Sequence, residues 1–420
     1  MKARKVVLID AIRTAFGRAG EKGIFWNTRA DDMVVKVIRE LMRRNPKVKP
    51  EMIGENAWAA FCQEKDQGLT LGRTSVILAG LPVTTAGFSI DRMCAGGMSA
   101  LTTAASEVAL GACDVAIAGG VEHMGHHPMG STADPNPRFL TDKLVDESAM
   151  SMGATAENLH DMFPEISKEM ADEYALHSQQ KAAKAIESGK IAEMIVPMTV
   201  YTKEGWKVAD KDEQPRPETT MEKLAELRTP FRVMGNVTAG NSSGLNDGAA
   251  GCLLMAKDMA DDLGIDYKMQ LVSFAYAGVQ PEVMGIGPIP ATKKALQVAE
   301  LTMDDIGLVE LNEAFAVQCV AFMKEFGLAI PDDPRVNIYG GAIAFGHPLA
   351  SSGVRLACHL MHGFEERPDV KYGLTTLCVG LGQGGAVVWK NKTGKDKPEN
   401  KQKKESGKEK EKKEKSKKKD

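Results

Sequence analysis

The sequence predicts a layered α/β protein, and three observations carry that prediction. Strand-like and helix-like patterns alternate from the N-terminus to about residue 120. The run Asp114-Val-Ala-Ile-Ala-Gly-Gly120 ends an apolar stretch on glycines, as a strand buried on both faces does. Glycine is abundant at 41 residues while aromatics make up 5% of the chain, which suits tight turns between short elements better than an all-β sandwich. At 420 residues the chain is long enough for two or three packed layers, or for more than one domain.

Taken in order, Val6 to Asp10 predicts the first strand, followed by the turn Arg13-Thr-Ala-Phe-Gly17. Asp31 and Asp32 open a helix, and Arg43 and Arg44 close it. Its apolar positions Ala30, Met33, Val34, Val37, Ile38 and Leu41 recur at helical spacing. Ala57 to Cys62 predicts a second strand and Gly72 to Gly80 a short helix. From Val121 to about Gly244 the texture changes to Met, His, Pro and polar residues, with two helical patches. Ser167 is the N-cap expected for a helix to Ser188, with Gly189 behind it. Thr202 to Val233 is Pro-rich, charged and irregular, and a long loop of this kind usually binds something. Strand patterns resume at Ala249–Ala256 and Gln270–Tyr276. Helices are expected through Lys293–Val298, up to Phe326, and from Ser351 to about Phe364. Leu374–Val379 and Gly385–Trp389 close the chain as strands. A strand-turn-helix bearing a reactive residue recurs around Cys94 and around His347, which suggests two related halves.

Charge and composition exclude some functions. The net charge is −3, yet residues 393–420 hold 13 Lys against 7 Asp and Glu, a net of +6 that leaves −9 on the other 392 residues. A mildly acidic body gives no general basis for nucleic-acid binding. The tail is Lys/Glu low complexity and is expected to be disordered and solvated. The 7 cysteines (62, 94, 113, 252, 319, 358, 378) are odd in number and dispersed, with no CxxC pair. Neither a disulfide framework nor a zinc knuckle is indicated, so a reducing compartment is expected. The N-terminal apolar run is too short for a signal peptide, and no run approaches membrane-spanning length. A soluble cytoplasmic protein without a membrane span follows.

Four residues stand out as candidates for chemistry: Cys94, Asn312 in Asn-Glu-Ala-Phe, His347 in Gly-His-Pro, and Cys378 in Cys-Val-Gly. Cys94 falls where strand spacing (Phe88, Ile90) gives way to helical spacing (Met98, Leu101, Thr102, Ala105, Val108), which places it at the first turn of a helix. Free N–H groups and the positive dipole end there lower a thiol pKa from its usual ~8.5. Gly96 and Gly97 leave room for a ligand or another backbone. Taken alone, such a cysteine is more often a buried packing residue. A cysteine with a distant histidine is nevertheless the minimum for thiol nucleophilic catalysis, and a second cysteine beside glycines supplies another acid/base of near-neutral pKa.

At these residues the chain resembles the thiolases. The matching stretches are Arg-Met-Cys-Ala-Gly-Gly-Met-Ser-Ala (92–100), Ala-Gly-Gly-Val-Glu-His-Met (118–124), Met-Gly-Ala-Thr-Ala-Glu-Asn-Leu (152–159) and Gly-Asn-Val-Thr-Ala-Gly-Asn-Ser-Ser-Gly (235–244). They continue with Met-Gly-Ile-Gly-Pro-Ile-Pro-Ala (284–291), Asn-Glu-Ala-Phe-Ala (312–316), Gly-Gly-Ala-Ile-Ala-Phe-Gly-His-Pro (340–348) and Cys-Val-Gly-Leu-Gly-Gln-Gly (378–384), in family order over residues 5–389.

The resemblance implies a five-layer α-β-α-β-α sandwich of two similar βαβαβαββ halves with an inserted loop domain. Residues 1–122 with 245–270 would form the N-terminal half. Residues 123–244 would be the inserted domain capping coenzyme A, 271–392 the C-terminal half, and 393–420 the tail. The resemblance also implies roles. Cys94 would carry the acyl group, His347 would take its proton, and Cys378 would move the proton to and from the acetyl carbon. Asn312 would hold a water that, with His347, stabilises the enolate oxygen. The backbone N–H groups of Cys94 and Gly380 would form a second oxyanion hole. Ser243 and Ala239 would line the pantetheine of coenzyme A, beside an apolar wall of Met284 and Phe315. Coenzyme A would be a co-substrate, with no permanently bound cofactor and no metal. Family members are dimers or tetramers.

The chain departs from the family's pattern at Asp91 (often Asn), Ala350 (usually Gly), Phe345 (often Leu) and Leu381 (often Gly). These bear on substrate size and loop geometry. Glu122-His-Met-Gly-His (122–126), Arg216-Pro-Glu-Thr-Thr (216–220) and Gly-Leu-Gly-Gln (380–383) look most like the degradative members that cleave 3-ketoacyl-CoA in bacterial β-oxidation beside a hydratase/dehydrogenase subunit. The alternatives are an acetoacetyl-CoA thiolase joining two acetyl-CoA molecules and a non-catalytic acyl-CoA carrier. His123, His126 and His127 match no zinc spacing. Gly380, Gly382 and Gly385 satisfy GxGxxG formally, but a strand pattern follows where a dinucleotide site needs a helix. The other five cysteines are expected to be packing residues, and His160, His177, His359 and His362 surface or helix-face residues.

Overall fold

The computed structural model describes residues 3–131 and 133–394; the tail expected to be disordered lies, from residue 395 on, outside them. β1 (Val6–Arg13) is buried along almost its whole length. α1 (Ala30–Arg44) carries Asp31 and Asp32 in its first turn and Arg43 and Arg44 in its last, each sign set against the opposite dipole end. Its buried stripe includes Met33, Val34, Val37, Ile38 and Leu41, as the spacing predicts. Then come β2 (Ile53–Ala59), α2 (Leu71–Ala79), β3 (Ala86–Ile90), a 3-10 turn at Met93–Ala95, α3 (Gly96–Leu110) and β4 (Val115–His123). An excursion containing α4 (Met152–Met162) and α5 (Lys168–Glu187) precedes β5 (Asn246–Ala256). The rest is β6 (Met269–Gly278), α6 (Pro288–Ala299), β7 (Ile306–Leu311), α7 (Ala316–Glu325), α8 (Ser352–Glu366), β8 (Tyr372–Val379) and β9 (Gln383–Asn391).

The strands run in the order β3-β2-β4-β5-β1 and then β6-β9-β8-β7. In the first half β2 is parallel to β3 and β4, while β5 is antiparallel to β4 and β1. The second half repeats this: β8 is parallel to β7, and β9 is antiparallel to β8 and β6. The counterpart of β3 is reduced to a single parallel bridge, Val309 with Val336. The halves meet antiparallel through only two register pairs, Val7 with Gln270 and Leu8 with Met269. The two related halves suggested by the strand-turn-helix units thus have matching topology.

α3 and α8, the helices that follow Cys94 and His347, pack on each other. Glycine permits the approach. A Cβ on Gly353 would lie 2.5 Å from the Met98 backbone nitrogen, and one on Gly97 would lie 2.4 Å from the Ala350 carbonyl oxygen.

α5 has the ends its sequence announces. Ser167 accepts the Met170 N–H at 3.1 Å, and Gly189 takes φ +80°. The segment read as irregular holds more structure than expected: a ribbon of Met198–Thr202 with Gly205–Ala209, and a short helix at Met221–Ala225. Its alternation is masked because Tyr201, Trp206 and Val208 face solvent. The segment is anchored by Asp212, which takes both Arg13 Nη groups at 2.6 and 2.7 Å in a fully buried pair.

Gly353→Ala is expected to lower the unfolding free energy by about 1–3 kcal/mol through overpacking at the helix crossing. Equilibrium denaturation should show a lower midpoint at unchanged slope; an unmoved midpoint would mean the two helices are not in close contact there.

Candidate active site

Beyond β3 the backbone bends sharply. Met93 adopts φ +44°, a left-handed conformation uncommon for a long side chain, and its N–H donates to Asp91 Oδ1 at 2.6 Å. The bend places Cys94 in the 3-10 turn two residues ahead of α3, half-buried. The backbone N–H groups of Gly380 and of Cys94 itself reach the sulfur and pull its pKa down. Burial outweighs them: with Glu122 and Asp91 adding repulsion, the thiol is pushed up to about 12. The expectation of a lowered pKa is therefore corrected. A helix start favours thiolate only where its field is not opposed by desolvation, and here desolvation is the larger effect.

His347 follows Gly346, where glycine is required twice over: φ is +100°, and a Cβ there would lie 2.3 Å from Asn246 Oδ1. The His347 N–H donates to that same oxygen at 3.1 Å. The imidazole is 4% exposed, and burial together with the nearby Arg355 charge lowers its pKa to about 3. It is neutral near pH 7, and its surroundings select a tautomer. Arg355 Nη2 can only donate, so Asn312 must turn Oδ1 to it, at 2.8 Å. The Asn312 NH2 then faces His347 Nε2 at 3.4 Å, which makes Nε2 the acceptor. The ring hydrogen is left on Nδ1, 2.6 Å from Ser352 Oγ.

Cys378 closes β8 with its sulfur 3.7 Å from Gln318 Oε1. Burial and the adjacent Cys94 raise its pKa, correcting the near-neutral value expected from its glycine neighbours. Gly380 lies so close to the first half that a Cβ would meet Met93 Sδ at 2.8 Å. The turn Met93–Ala95 packs on both β8 and the turn Leu349–Ser351 that follows His347. Cys94, Cys378, Gly380 and the His347–Asn312 pair are thus drawn together from both halves.

The remaining predicted residues form a neighbouring wall. Ser243 N–H donates to the Ala314 carbonyl at 3.0 Å, and Ser242 bridges Phe315. This docks the loop carrying Ala239, which is exposed, beside Phe315 and Met284, both buried in one apolar cluster. The turn holding Met284 packs on β8.

Several contributors escape a reading by sequence. Glu122, 1% exposed, accepts the N–H groups of Phe61 at 3.0 Å and Ala350 at 3.3 Å, so one carboxylate ties the end of β4 to the turn after His347. Ser352 and Arg355 follow His347 closely on α8, and the signal for Arg355 was a charge between Val354 and Leu356 in a buried helix. Gln318 is the same kind of signal on α7. Three of the histidines expected on surfaces or helix faces do lie on helices, but on covered faces: His359 is held edge-on by Tyr339 and Phe345, and His160 and His362 are almost covered. Helical spacing does not show which face a second sheet will cover.

His123 Nε2 contacts the Phe25 carbonyl, His126 Nε2 the Trp26 carbonyl, and His127 bridges Glu64 and Asp66. Among the described residues no group of three or more His, Cys, Asp or Glu is arranged to hold a metal ion. Gly380 to Gly385 leads into β9 rather than a helix. No helix among the described residues is long and apolar enough to cross a membrane.

The site therefore offers a protonated thiol, a neutral imidazole whose Nε2 carries no hydrogen and is met by a long 3.4 Å contact from Asn312, a second thiol, and two backbone N–H groups aimed at the first sulfur. That set suits acyl transfer to sulfur with base assistance.

Comparison with known proteins agrees. Residues 6–258 match the family model for the thiolase N-terminal domain and residues 265–391 that for the thiolase C-terminal domain. The chain is 44% identical over 387 residues to the 3-ketoacyl-CoA thiolase of Photobacterium profundum, covering 92% of this chain and 99% of that protein. It is 43% identical over 386 residues to that of Pseudoalteromonas translucida, covering 91% and 98%. Among solved structures, the Bacillus anthracis acetyl-CoA acetyltransferase superposes with TM-score 0.83 at 37% identity, covering 93% of this chain and 99% of that one. Human mitochondrial 3-ketoacyl-CoA thiolase does so with TM-score 0.83 at 33% identity, covering 92% and 99%.

A thiol pushed to about 12 is protonated throughout the neutral range. Alkylation of Cys94 by iodoacetamide should then climb roughly tenfold per pH unit from 7 to 10. Peptide-mapped labelling that levels off near pH 8.5 would contradict this electrostatic picture.

Proposed function

The chain belongs to the thiolase family, and from that premise we propose that its site cleaves a 3-ketoacyl-CoA with free coenzyme A. The products are acetyl-CoA and an acyl-CoA shortened by two carbons, the thiolytic step of fatty-acid β-oxidation. The activity is that of an acetyl-CoA C-acyltransferase. The observation that carries the reading is the pair of adjacent thiols, Cys94 and Cys378, with a neutral His347 just ahead of the turn that packs on the Cys94 turn.

The roles follow from protonation. Cys94 is a thiol at rest, so attack on the 3-keto carbon requires a base, and the unprotonated Nε2 of His347, held by Asn312 only at 3.4 Å, takes that proton. Once protonated, Nε2 becomes a donor. With a water held by Asn312, it can then stabilise the thioester enolate oxygen of the departing acetyl-CoA. The raised pKa of Cys378 keeps it an acid, ready to give its proton to the acetyl carbon. The N–H groups of Cys94 and Gly380 stabilise the oxyanion of the tetrahedral adduct at Cys94. In the return step free coenzyme A gives its thiol proton to the Cys378 thiolate and attacks the acyl-Cys94 thioester; the Cys94 thiolate leaves and takes its proton back from His347, so the shortened acyl-CoA is released and both thiols and the neutral imidazole are restored. A sulfur nucleophile suits the reaction because its acyl adduct is about as energetic as the thioester exchanged. Ser243 and Ala239 are assigned to the pantetheine arm, with Met284 and Phe315 as its apolar wall, and residues 123–244 to a loop domain capping coenzyme A.

The same proposal places the enzyme in the cytoplasm as a homodimer or homotetramer, in complex with a hydratase/dehydrogenase subunit. A dimer is supported by β3: no strand pairs on its outer edge among the described residues, and Leu69, Ile77, Leu78 and Val83 lie exposed nearby. A second reading, condensation of two acetyl-CoA molecules, is favoured by the 37% identity to the Bacillus anthracis acetyl-CoA acetyltransferase.

Cys94→Ser should abolish thiolysis, Cys378→Ala should slow it by about 10²–10⁴, and Asn312→Ala by about 10²–10³. Steady-state rates on C4 and on C8–C16 ketoacyl-CoA separate the two readings: higher kcat/KM on the longer chains is expected, and activity confined to C4 would favour the second.

A further inference from the structure

Ser352 and Arg355 stand three residues apart on α8 and share a face. From that face Ser352 meets Nδ1 of His347 and Arg355 meets Oδ1 of Asn312. The two contacts differ in what they can decide. A hydroxyl both donates and accepts, so Ser352 is satisfied whether Nδ1 carries the ring hydrogen or not. Asn312 could be flipped at the cost, on the Ser352 side, of only the long 3.3 Å bond that the Ser352 hydroxyl donates to the Pro348 carbonyl. Its carbonyl would then face Nε2, the hydrogen would move to Nε2, and Ser352 would donate to Nδ1. That arrangement gives up only the long Ser352–Pro348 contact, so the two are nearly matched on this side, but Nε2 has lost its lone pair. Arg355 breaks the tie, since a guanidinium has donors only and accepts nothing from an amide NH2.

We infer that Arg355 is a positioning residue that acts through Asn312, holding the amide so that its NH2 faces His347 and Nε2 stays the free base. The inference rests on the proposed roles of His347 and Asn312. Arg355 has few other partners that would explain it. Its guanidinium is fully buried, its Nε and Nη1 have no hydrogen-bond partner among the described residues, and the nearest carboxylate oxygen among them, Glu310 Oε2, is 3.9 Å from Nη1. Burial of a charge with one short hydrogen bond and a distant counter-ion is unfavourable for stability. The short contact is the one to Asn312.

The test uses the full-length enzyme in thiolysis of a 3-ketoacyl-CoA, with Arg355→Met, Asn312→Ala, the double variant, and Arg355→Lys. Arg355→Met should lower kcat by about 10- to 100-fold with KM for both substrates within about twofold. The double variant should be no slower than Asn312→Ala alone, because a guanidinium acting through an absent amide has nothing left to do. Arg355→Lys, which keeps a donor-only cation, should recover part of the loss. A direct readout covers the event that Arg355→Met does not fold: the 15N resonances of His347, assigned by their loss in His347→Gln. The wild-type enzyme should show hydrogen at Nδ1, and Arg355→Lys a larger share at Nε2. Multiplicative losses in the double variant, or a wild-type Nε2–H tautomer, would overturn the inference. A native rate for Asn312→Ala would instead remove the assigned role of Asn312, while the tautomer measurement would still decide the inference about Arg355.

Discussion

The close approach of two backbones at Ala350 is the constraint on which the site depends. Gly96, Gly97 and Gly120 of the first half face this residue of the second; added Cβ atoms would lie 3.2 Å from its Cβ and 2.4 and 2.1 Å from its carbonyl oxygen. The Ala350 N–H is in turn held by Glu122. Three missing side chains and one buried carboxylate therefore seat the turn after His347 on the turn that carries Cys94. Close packing gives this contact little slack, since a displaced turn would open a void or a clash. Among the described residues the halves share two register pairs along the sheet, so the central helices and this turn-on-turn contact set how Cys94 and His347 are placed relative to each other.

Burial then determines the chemistry available at rest. Desolvation pushes Cys94 up to about 12 and His347 down to about 3, so the pair stands as thiol and imidazole, not thiolate and imidazolium. Such a pair holds little charge at rest. The donors that would stabilise charge, the N–H groups of Gly380 and Cys94, are already in position, held by the Met93 bend and the Gly380 approach. Preorganised dipoles in a dry setting are worth more than the same dipoles in water, because they need no reorientation as charge develops.

The polar residues behind the site are as constrained as those in front of it. Ser352 and Arg355 from α8, Asn246 from β5, Gln318 from α7 and Glu122 from β4 each contact one reacting residue or the turn beside it. Each comes from a different strand or helix except the first two. Directional groups of this kind turn the rough placement given by apolar packing into fixed ring and amide orientations.

Much of this was legible in the chain. The charged ends of α1, the Ser167 cap, the buried β4 and the repeated strand-turn-helix units are local patterns, and local patterns report on local backbone. Cys94, Asn312, His347 and Cys378 were visible because their glycine-rich settings and motif spacing do not depend on distant residues. Three things were not legible: the pKa directions of the two cysteines, the burial of His359, and the parts played by Ser352, Arg355 and Glu122. All depend on which face a segment from the other half covers, and helical or strand period is blind to that. The sequence by itself singled out the candidate side chains and the elements they ride on. Only the tertiary structure decided their protonation and orientation, because solvent exclusion and hydrogen-bond direction exist only once distant segments have closed around them.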